Sequence, residues 1–170
     1  MPDVFTKAKR SEVMSRIRGR GNKDTELALA KLMRAHGLTG WRRQPTLVVR
    51  SGKRKFAQSS ALFLRSKTPK SVRADSRRLL QAKVDFVFQQ ARLAIFVDGC
   101  FWHGCPKHAT KPKNNHAFWR RKLSSNKKRD FLVTRTLRRA GWRVLRVWEH
   151  ELAKKNQARL MRRLSAAIGG

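Results

Sequence analysis

Runs of apolar residues in the second half of the chain predict three β-strands. Residues 84–88 and 93–97 consist mainly of β-branched and aromatic residues, and the short segment 89–92 between them predicts a hairpin. A third strand is predicted at residues 142–148, directly after Gly141. The first two strands are expected to be antiparallel, because their connection is too short for a crossover.

Apolar residues at helical spacing predict three helices around these strands. The first is expected to begin after the capping residues Asn22 to Thr25 and to end at Gly37, a residue typical of helix ends. The second is predicted at residues 116–140 and the third at residues 152–168. The order of helix, hairpin, helix, strand and helix predicts one α/β domain over residues 1–170, in which helices cover a sheet.

Two segments are basic and have few apolar residues. Residues 1–22 are interpreted as a basic N-terminal arm. Residues 51–80 hold nine Lys or Arg and one acid, Asp75. This composition predicts a basic insertion at about residues 48–81, which either adds contacts to a polyanion or forms a tolerated surface loop.

The charge of the chain indicates the class of partner. Its 170 residues include 42 Lys and Arg against 10 Asp and Glu, a formal net charge of +32, which favours nucleic acid. Ribosomal proteins, histone-like proteins and nucleases are all this basic. No apolar run reaches the roughly 18 residues of a membrane span, and no signal pattern is present, so a cytoplasmic protein is predicted. Two cysteines are too few for a disulfide scaffold and favour metal binding or free thiols.

Two aspartates occur in apolar surroundings, where β propensity and desolvation disfavour them. Asp85 lies inside the strand predicted at 84–88, and Asp98 closes the next strand. A bound cation would explain both, and Mg²⁺ prefers one or two carboxylates with water and phosphate oxygens. His103, five residues later, would take a proton from an attacking water. The alternative is that Asp85 pairs with a buried arginine or faces solvent, with His103 structural.

Four donors favour a second metal. Cys100, Cys105 and His108 form a Cys-x4-Cys-x2-His cluster, and His150 follows the last predicted strand. Such a set fits tetrahedral Zn²⁺, and a closed four-ligand site would be structural. The alternative is that both cysteines are small buried apolar residues.

Two aromatic residues interrupt this polar segment. Phe101 and Trp102 are either part of the core, as most aromatic residues are, or apolar wedges that insert between base pairs. The residues alone favour neither alternative.

The run from Ala94 to His108 (AIFVDGCFWHGCPKH) resembles the signature of the very short patch repair (Vsr) endonucleases. Further resemblance extends in the same order through residues 10–19, 25–27, 118–130 and 141–150. It covers nearly everything except about residues 48–81.

The resemblance implies a restriction-endonuclease-like fold with a central mixed sheet flanked by helices. It also implies Mg²⁺-dependent nicking of one DNA strand beside a T:G mismatch. Such mismatches arise where 5-methylcytosine deaminates, so the implied setting is mismatch repair in the bacterial nucleoid. The implied partners are double-stranded DNA with a T:G mismatch and other mismatch-repair proteins, and the protein is expected to be a monomer.

The resemblance also implies roles for individual residues. Asp85 and the backbone carbonyl of Val97 would bind Mg²⁺, His103 would be the general base, and Glu26 and Asp98 would be supporting active-site groups. Structural zinc would be held by Cys100, Cys105, His108 and His150. Met14, Phe101 and Trp102 would insert into the duplex next to the mismatch.

Three positions depart from the family pattern. Val84 stands where the family often has Pro, Asp98 where some members have His, and His150 where some have Cys. Asp98 is a hard anionic ligand that would bind Mg²⁺ directly, and His150 remains an adequate zinc donor. Two other functions fit the chain: a nuclease of this fold acting in restriction or other DNA repair without mismatch specificity, and a non-catalytic zinc-stabilised nucleic-acid-binding protein.

Overall fold

The computed structural model describes Glu12 and residues 23–50, 79–110 and 115–169. Most of the predicted arm at 1–22, including Met14, lies outside the described residues, as do residues 51–78 of the predicted insertion. No described helix is long and apolar enough to cross a membrane.

A mixed sheet of four strands consists of Trp41–Arg43 (β1), Phe86–Phe88 (β4), Leu93–Asp98 (β5) and Arg143–Trp148 (β6). The strand order across this sheet is β1-β4-β5-β6. β1, β4 and β5 are antiparallel neighbours, so the predicted hairpin is confirmed. β6 pairs with β5 in parallel, a connection that requires a crossover, here made by the long helix between them. The predicted α/β class with a mixed central sheet is thereby confirmed.

Within residues 23–50, 79–110 and 115–169, three α-helices accompany the sheet. Helix α1 spans Ala28–Ala35 after a π-helical turn at Lys23–Leu27, and Gly37 follows it at φ 70°. Helix α2 spans His116–Arg139, close to the prediction. Helix α3 spans Gln157–Gly169 and begins later than predicted, because two 3-10 turns come first.

A second strand pair was absent from the sequence prediction. β2 (Thr46–Arg50) and β3 (Leu79–Lys83) pair along their whole length as an antiparallel ladder. The two ends of the predicted insertion at 48–81 are therefore strands. The sequence missed them because neither carries an apolar run as strong as those of β4 and β5.

The alternation of β5 divides the core into two clusters. Leu93 and Ile95 pack with α1 and α3 on one face of the sheet. Ala94 and Phe96 pack with Leu137 of α2 on the other face. Since side chains alternate along a strand, Asp98 at the end of β5 shares the face of Phe96 and points toward α2.

Candidate active site and metal centre

Asp85 lies at the bend between β3 and β4, just before the strand that begins at Phe86. The prediction that it sits inside a strand is wrong, because the chain turns there from pairing with β2 to pairing with β1. Its Oδ2 accepts a hydrogen bond of 2.7 Å from the backbone N–H of Val97 on β5. Because the N–H and C=O of one strand residue point to the same side, the Val97 carbonyl also faces the Asp85 side.

The Asp85 carboxyl is destabilised in its charged form. The pKa of Asp85 is raised to about 6, chiefly by burial; the nearby carboxylates of Glu26 and Asp98 also raise it, whereas the hydrogen bond from Val97 and the charge of Arg146 lower it. Glu26 is 7% exposed and Asp98 is 2% exposed. A divalent cation bound among these carboxylates would reduce their mutual repulsion.

Gln44 joins this group and was missed by the sequence analysis. Its backbone N–H donates to the carbonyl of Asp85 at 2.8 Å, and its side-chain amide donates to Glu26 Oε2 at 2.6 Å. Its φ of 55° lies in the left-handed region that favours glycine. Such strain, found here beside the carboxylates, is characteristic of functional sites. No sequence signal marks a glutamine for this role.

His103 is held by a carboxylate from α2. Its Nδ1 lies 2.5 Å from Asp130 Oδ2 and 3.5 Å from Asp98 Oδ1. Burial raises the pKa of Asp130, but His103 and Arg146 outweigh burial and bring it below its ordinary value. Asp130 therefore stays ionised beside His103. The sequence analysis gave Asp130 no role, although an acid in such a basic helix was a usable signal.

Asp98 forms a two-pronged ion pair with Arg146 of β6. Nε of Arg146 lies 2.5 Å from Oδ2, and Nη2 lies 2.6 Å from Oδ1. Both oxygens of Asp98 thus already have a cationic partner. The pairing favours the supporting role predicted for Asp98 over direct binding of Mg²⁺.

The four predicted zinc donors, Cys100, Cys105, His108 and His150, converge, and their ligand atoms all lie within 4.8 Å of one another. His150 Nδ1 is 3.2 Å from Cys100 Sγ and 3.6 Å from Cys105 Sγ, and His108 Nδ1 is 3.8 Å from Cys105 Sγ. A tetrahedron with ordinary zinc bond lengths has sulfur–nitrogen edges of about 3.6 Å, so the set fits Zn²⁺.

The backbone around the cluster is also fixed. The N–H of Cys100 donates to Glu149 at 3.0 Å, and the Asn156 amide donates to the His150 carbonyl at 2.7 Å. Burial raises the pKa of the Cys100 thiol, so metal binding there would release a proton. These contacts join the loop after β5 to the turn after β6.

Phe101 and Trp102 form an aromatic cluster with Trp119 of α2. The ring centroids of Phe101 lie 5.1 Å from those of both Trp102 and Trp119, and Phe118 lies 5.3 Å from Trp119. Phe101 and Trp102 belong to neither core cluster. The Asn126 amide donates to the Trp102 carbonyl at 2.8 Å and fastens the loop to α2. Trp119 was another residue that the sequence analysis missed.

Exposed cations lie along the whole length of α2, the helix that carries Trp119. They line α2 at Arg120, Arg121, Lys122, Lys127, Lys128, Arg129, Arg135, Arg138 and Arg139. Such a density of positive charge on a helix that also carries the exposed ring of Phe118 suits a polyanion whose bases can stack.

The sequence was compared with known proteins. The profile of the family described as DNA mismatch endonuclease Vsr matches residues 2–56 and 69–111. The chain is 30% identical over 170 residues to the type II nicking enzyme V.NmeAIP of Neisseria meningitidis serogroup A, a match that covers 99% of this chain and 95% of that relative.

Two other relatives match over shorter stretches. The type II nicking enzyme V.NaeI of Lentzea aerocolonigenes is 51% identical over 72 residues, which cover 42% of this chain and 43% of that relative. DNA mismatch endonuclease Vsr of Escherichia coli K12 is 41% identical over 71 residues, 41% of this chain and 46% of that protein. The chain thus matches less than half the length of each of these two.

The profile covers more than half of the chain, and the match to V.NmeAIP extends over nearly all of it. The resemblance seen in the sequence is confirmed, and so is the class of enzyme. The chain belongs to the Vsr DNA mismatch endonuclease family, whose members are phosphodiester hydrolases that nick DNA.

Proposed function

We propose that the protein is a Mg²⁺-dependent DNA endonuclease that nicks one strand of a duplex. The observation that carries this proposal is the carboxylate of Asp85, held against β5 beside Glu26 and Asp98 with its pKa raised to about 6. A Mg²⁺ ion bound there would polarise the scissile phosphate and stabilise the leaving oxygen.

The protein's own groups supply the remaining steps. Asp85 and the Val97 carbonyl would hold the ion, and Glu26, fixed by Gln44, would support them. Asp130 engages Nδ1 of His103, which leaves Nε2 to take the proton from the attacking water. The oxygen of that water then bonds to phosphorus as the bond to the leaving sugar oxygen breaks.

The Cys/His cluster has a separate role in this proposal. Zn²⁺ bound by Cys100, Cys105, His108 and His150 would be closed to substrate, as structural zinc sites are. Its function is to fix the loop that carries Phe101, Trp102 and His103. That loop lies between β5 and α2, on the restriction-endonuclease-like fold that the resemblance implies.

We assign the aromatic cluster to the DNA interface. Phe101 and Trp102, supported by Trp119, would wedge into the duplex beside a mismatch, because an unpaired or mispaired step opens at the lowest cost. Met14 is proposed to insert with them. The family name supports a mismatch as the substrate, and the sequence resemblance implies that it is a T:G mismatch from deaminated 5-methylcytosine.

A second candidate is nicking without mismatch specificity. V.NaeI and V.NmeAIP are named type II nicking enzymes, and V.NmeAIP matches over 99% of this chain, whereas the relative named mismatch endonuclease matches over 41% of it. These names favour a nuclease that serves restriction or another repair route.

One assay separates the two candidates. A T:G duplex and the matching T:A duplex, each labelled on both strands, are incubated with the protein with and without Mg²⁺. A mismatch-directed enzyme cuts only the T:G duplex, on one strand, whereas a nuclease without mismatch specificity cuts both the T:G and the T:A duplex. Binding without metal-dependent cleavage of either duplex would instead identify a non-catalytic DNA-binding protein.

The site assignment has its own test. Asp85→Ala should abolish nicking and leave DNA binding intact, because the carboxylate binds metal and not DNA. Gln89→Ala, an exposed change in the β4–β5 turn, is the control and should cut like the wild type. Nicking by Asp85→Ala at the wild-type rate would reject the site.

A further inference from the structure

Arg146 of β6 lies between two carboxylates that come from different elements. Its Nε and Nη2 bond to Asp98 at the end of β5, at 2.5 and 2.6 Å. Nη2 also lies 3.1 Å from Asp130 Oδ1 on α2. Those two carboxylates are the ones nearest to His103.

The remaining contacts of the guanidinium fix its plane. Nη1 lies 3.5 Å from the Asp130 carbonyl and 3.4 Å from Thr134 Oγ1. The guanidinium carbon lies 5.1 Å from the ring centroid of Phe96. Arg146 thus connects β5, β6 and α2 through a planar fork that a point charge does not reproduce.

The pairing also fits the charge balance of the site. Asp98 is 2% exposed, and a buried carboxylate without a cation is strongly unfavourable. Arg146 is one of the groups that lower the pKa of Asp85 and Asp130. Arg146 is therefore a cation shared among the acids of the site.

We propose that Arg146 is a positioning residue of the nicking reaction. By bonding to both Asp98 and Asp130, it fixes the orientation in which Asp130 presents His103 to the attacking water. This inference rests on the proposed nicking function, and neither the sequence resemblance nor the family match assigns the residue a role.

The first test separates the chemical step from DNA binding. Arg146→Met should lower the single-turnover nicking rate by about 10- to 100-fold and change the Kd for DNA by less than about threefold. Arg146→Lys should recover part of the rate. Arg143→Met is the matched control on the same strand, because Arg143 donates to the Ala91 carbonyl, and it should cut at the wild-type rate.

The second test separates positioning from stability. The double variant Asp98→Asn/Arg146→Met removes both charges of this ion pair and should recover thermal stability that Arg146→Met loses. If Arg146 positions Asp130, the double variant should still nick slowly, because Asp130 has lost its contact with Arg146. A double variant that regains the wild-type rate overturns the proposal, as does Arg146→Met with an undiminished rate. An inactive wild type would instead refute the proposed function.

Discussion

The carboxylate site and the Cys/His cluster lie next to each other at the end of β5 but are built in opposite ways. Three of the four cluster ligands occur within residues 100–108, and their atoms reach ligand spacing through a single loop. The carboxylate site collects Glu26, Asp85, Asp98 and Asp130 from four separate elements.

The two regions also differ in what keeps their donors together. Cysteine and histidine side chains converge on one point, and the cluster is closed as a structural zinc site requires. The acids repel one another, and Arg146 and Gln44 hold them in place. One region is therefore suited to stabilising a loop, and the other to binding the divalent cation of the proposed reaction. The following predictions test this division.

The largest effect is expected from substitution of Asp85. Its folded-state pKa of about 6 exceeds the ordinary 3.8, so the folded state binds more protons between these values. In Mg²⁺-free buffer, the free energy of unfolding of the wild type should therefore fall as pH rises from about 4 to about 6. The Asp85→Asn variant should not show this pH-dependent fall in stability. It should also nick roughly 10³-fold more slowly, which corresponds to an increase of about 4 kcal/mol in the activation free energy. Urea unfolding against pH and single-turnover assays measure both, and identical pH profiles would contradict the prediction.

The next effect concerns the closed cluster. Cys105→Ser should lose one zinc per chain and destabilise the fold by at least about 3 kcal/mol, because Cys105 is 2% exposed and near both histidines. Elemental analysis and thermal unfolding measure this. Zinc added back after chelation should restore the thermal stability of the wild type but not that of the variant. If Cys105→Ser were as stable as the wild type, the cluster would have no structural role.

Asp130 should affect rate without affecting stability to the same degree. Asp130→Asn keeps the shape of the side chain but removes the charge beside His103, so nicking should slow by about 10- to 100-fold with unchanged Kd. Ser125→Ala, an exposed change on the same helix, serves as the control. Unaltered nicking by Asp130→Asn would show that His103 does not depend on this partner.

Disruption of the aromatic cluster should weaken DNA binding. Trp119→Ala removes the ring that supports Phe101 and Trp102, and the Kd for a T:G duplex should rise by about 10-fold, as expected for one lost stacking contact. Phe131→Ala is the control, because Phe131 is 67% exposed on the same helix and belongs to no aromatic pair among the described residues. Equal binding by the two variants would exclude the cluster from the DNA interface.

The smallest effect is predicted for Gln44. Gln44→Gly relieves the strain of its φ of 55° but removes the hydrogen bond to Glu26, so stability should change by less than about 1 kcal/mol. Nicking should nevertheless slow severalfold. Arg92→Gly relieves a similar φ of 46° in the β4–β5 turn, distant from the carboxylates, and should leave the nicking rate unchanged. Similar rates for the two variants would show that Gln44 does not support Glu26.

Much of the frame was predictable because its signals are local. The strands β4, β5 and β6 follow from apolar runs, and α2 follows from helical spacing between Asn115 and Gly141. The ligands Cys100, Cys105 and His108 follow from their spacing, because donors so close in sequence are close in space. Asp85 was recognised as an acid in an apolar segment, although its place at a bend was not.

By itself, then, the sequence determined the helices, the hairpin, the cationic surface and the four candidate zinc donors. Tertiary structure decided which groups complete the site. Asp130 is 27 residues from His103, Arg146 is 48 residues from Asp98, and Gln44 is 18 residues from Glu26. No local propensity encodes such pairs, because they arise only when β6 aligns in parallel with β5 and α2 packs across both. The same packing gave β2 and β3 their pairing, which their modest apolar patterns did not reveal.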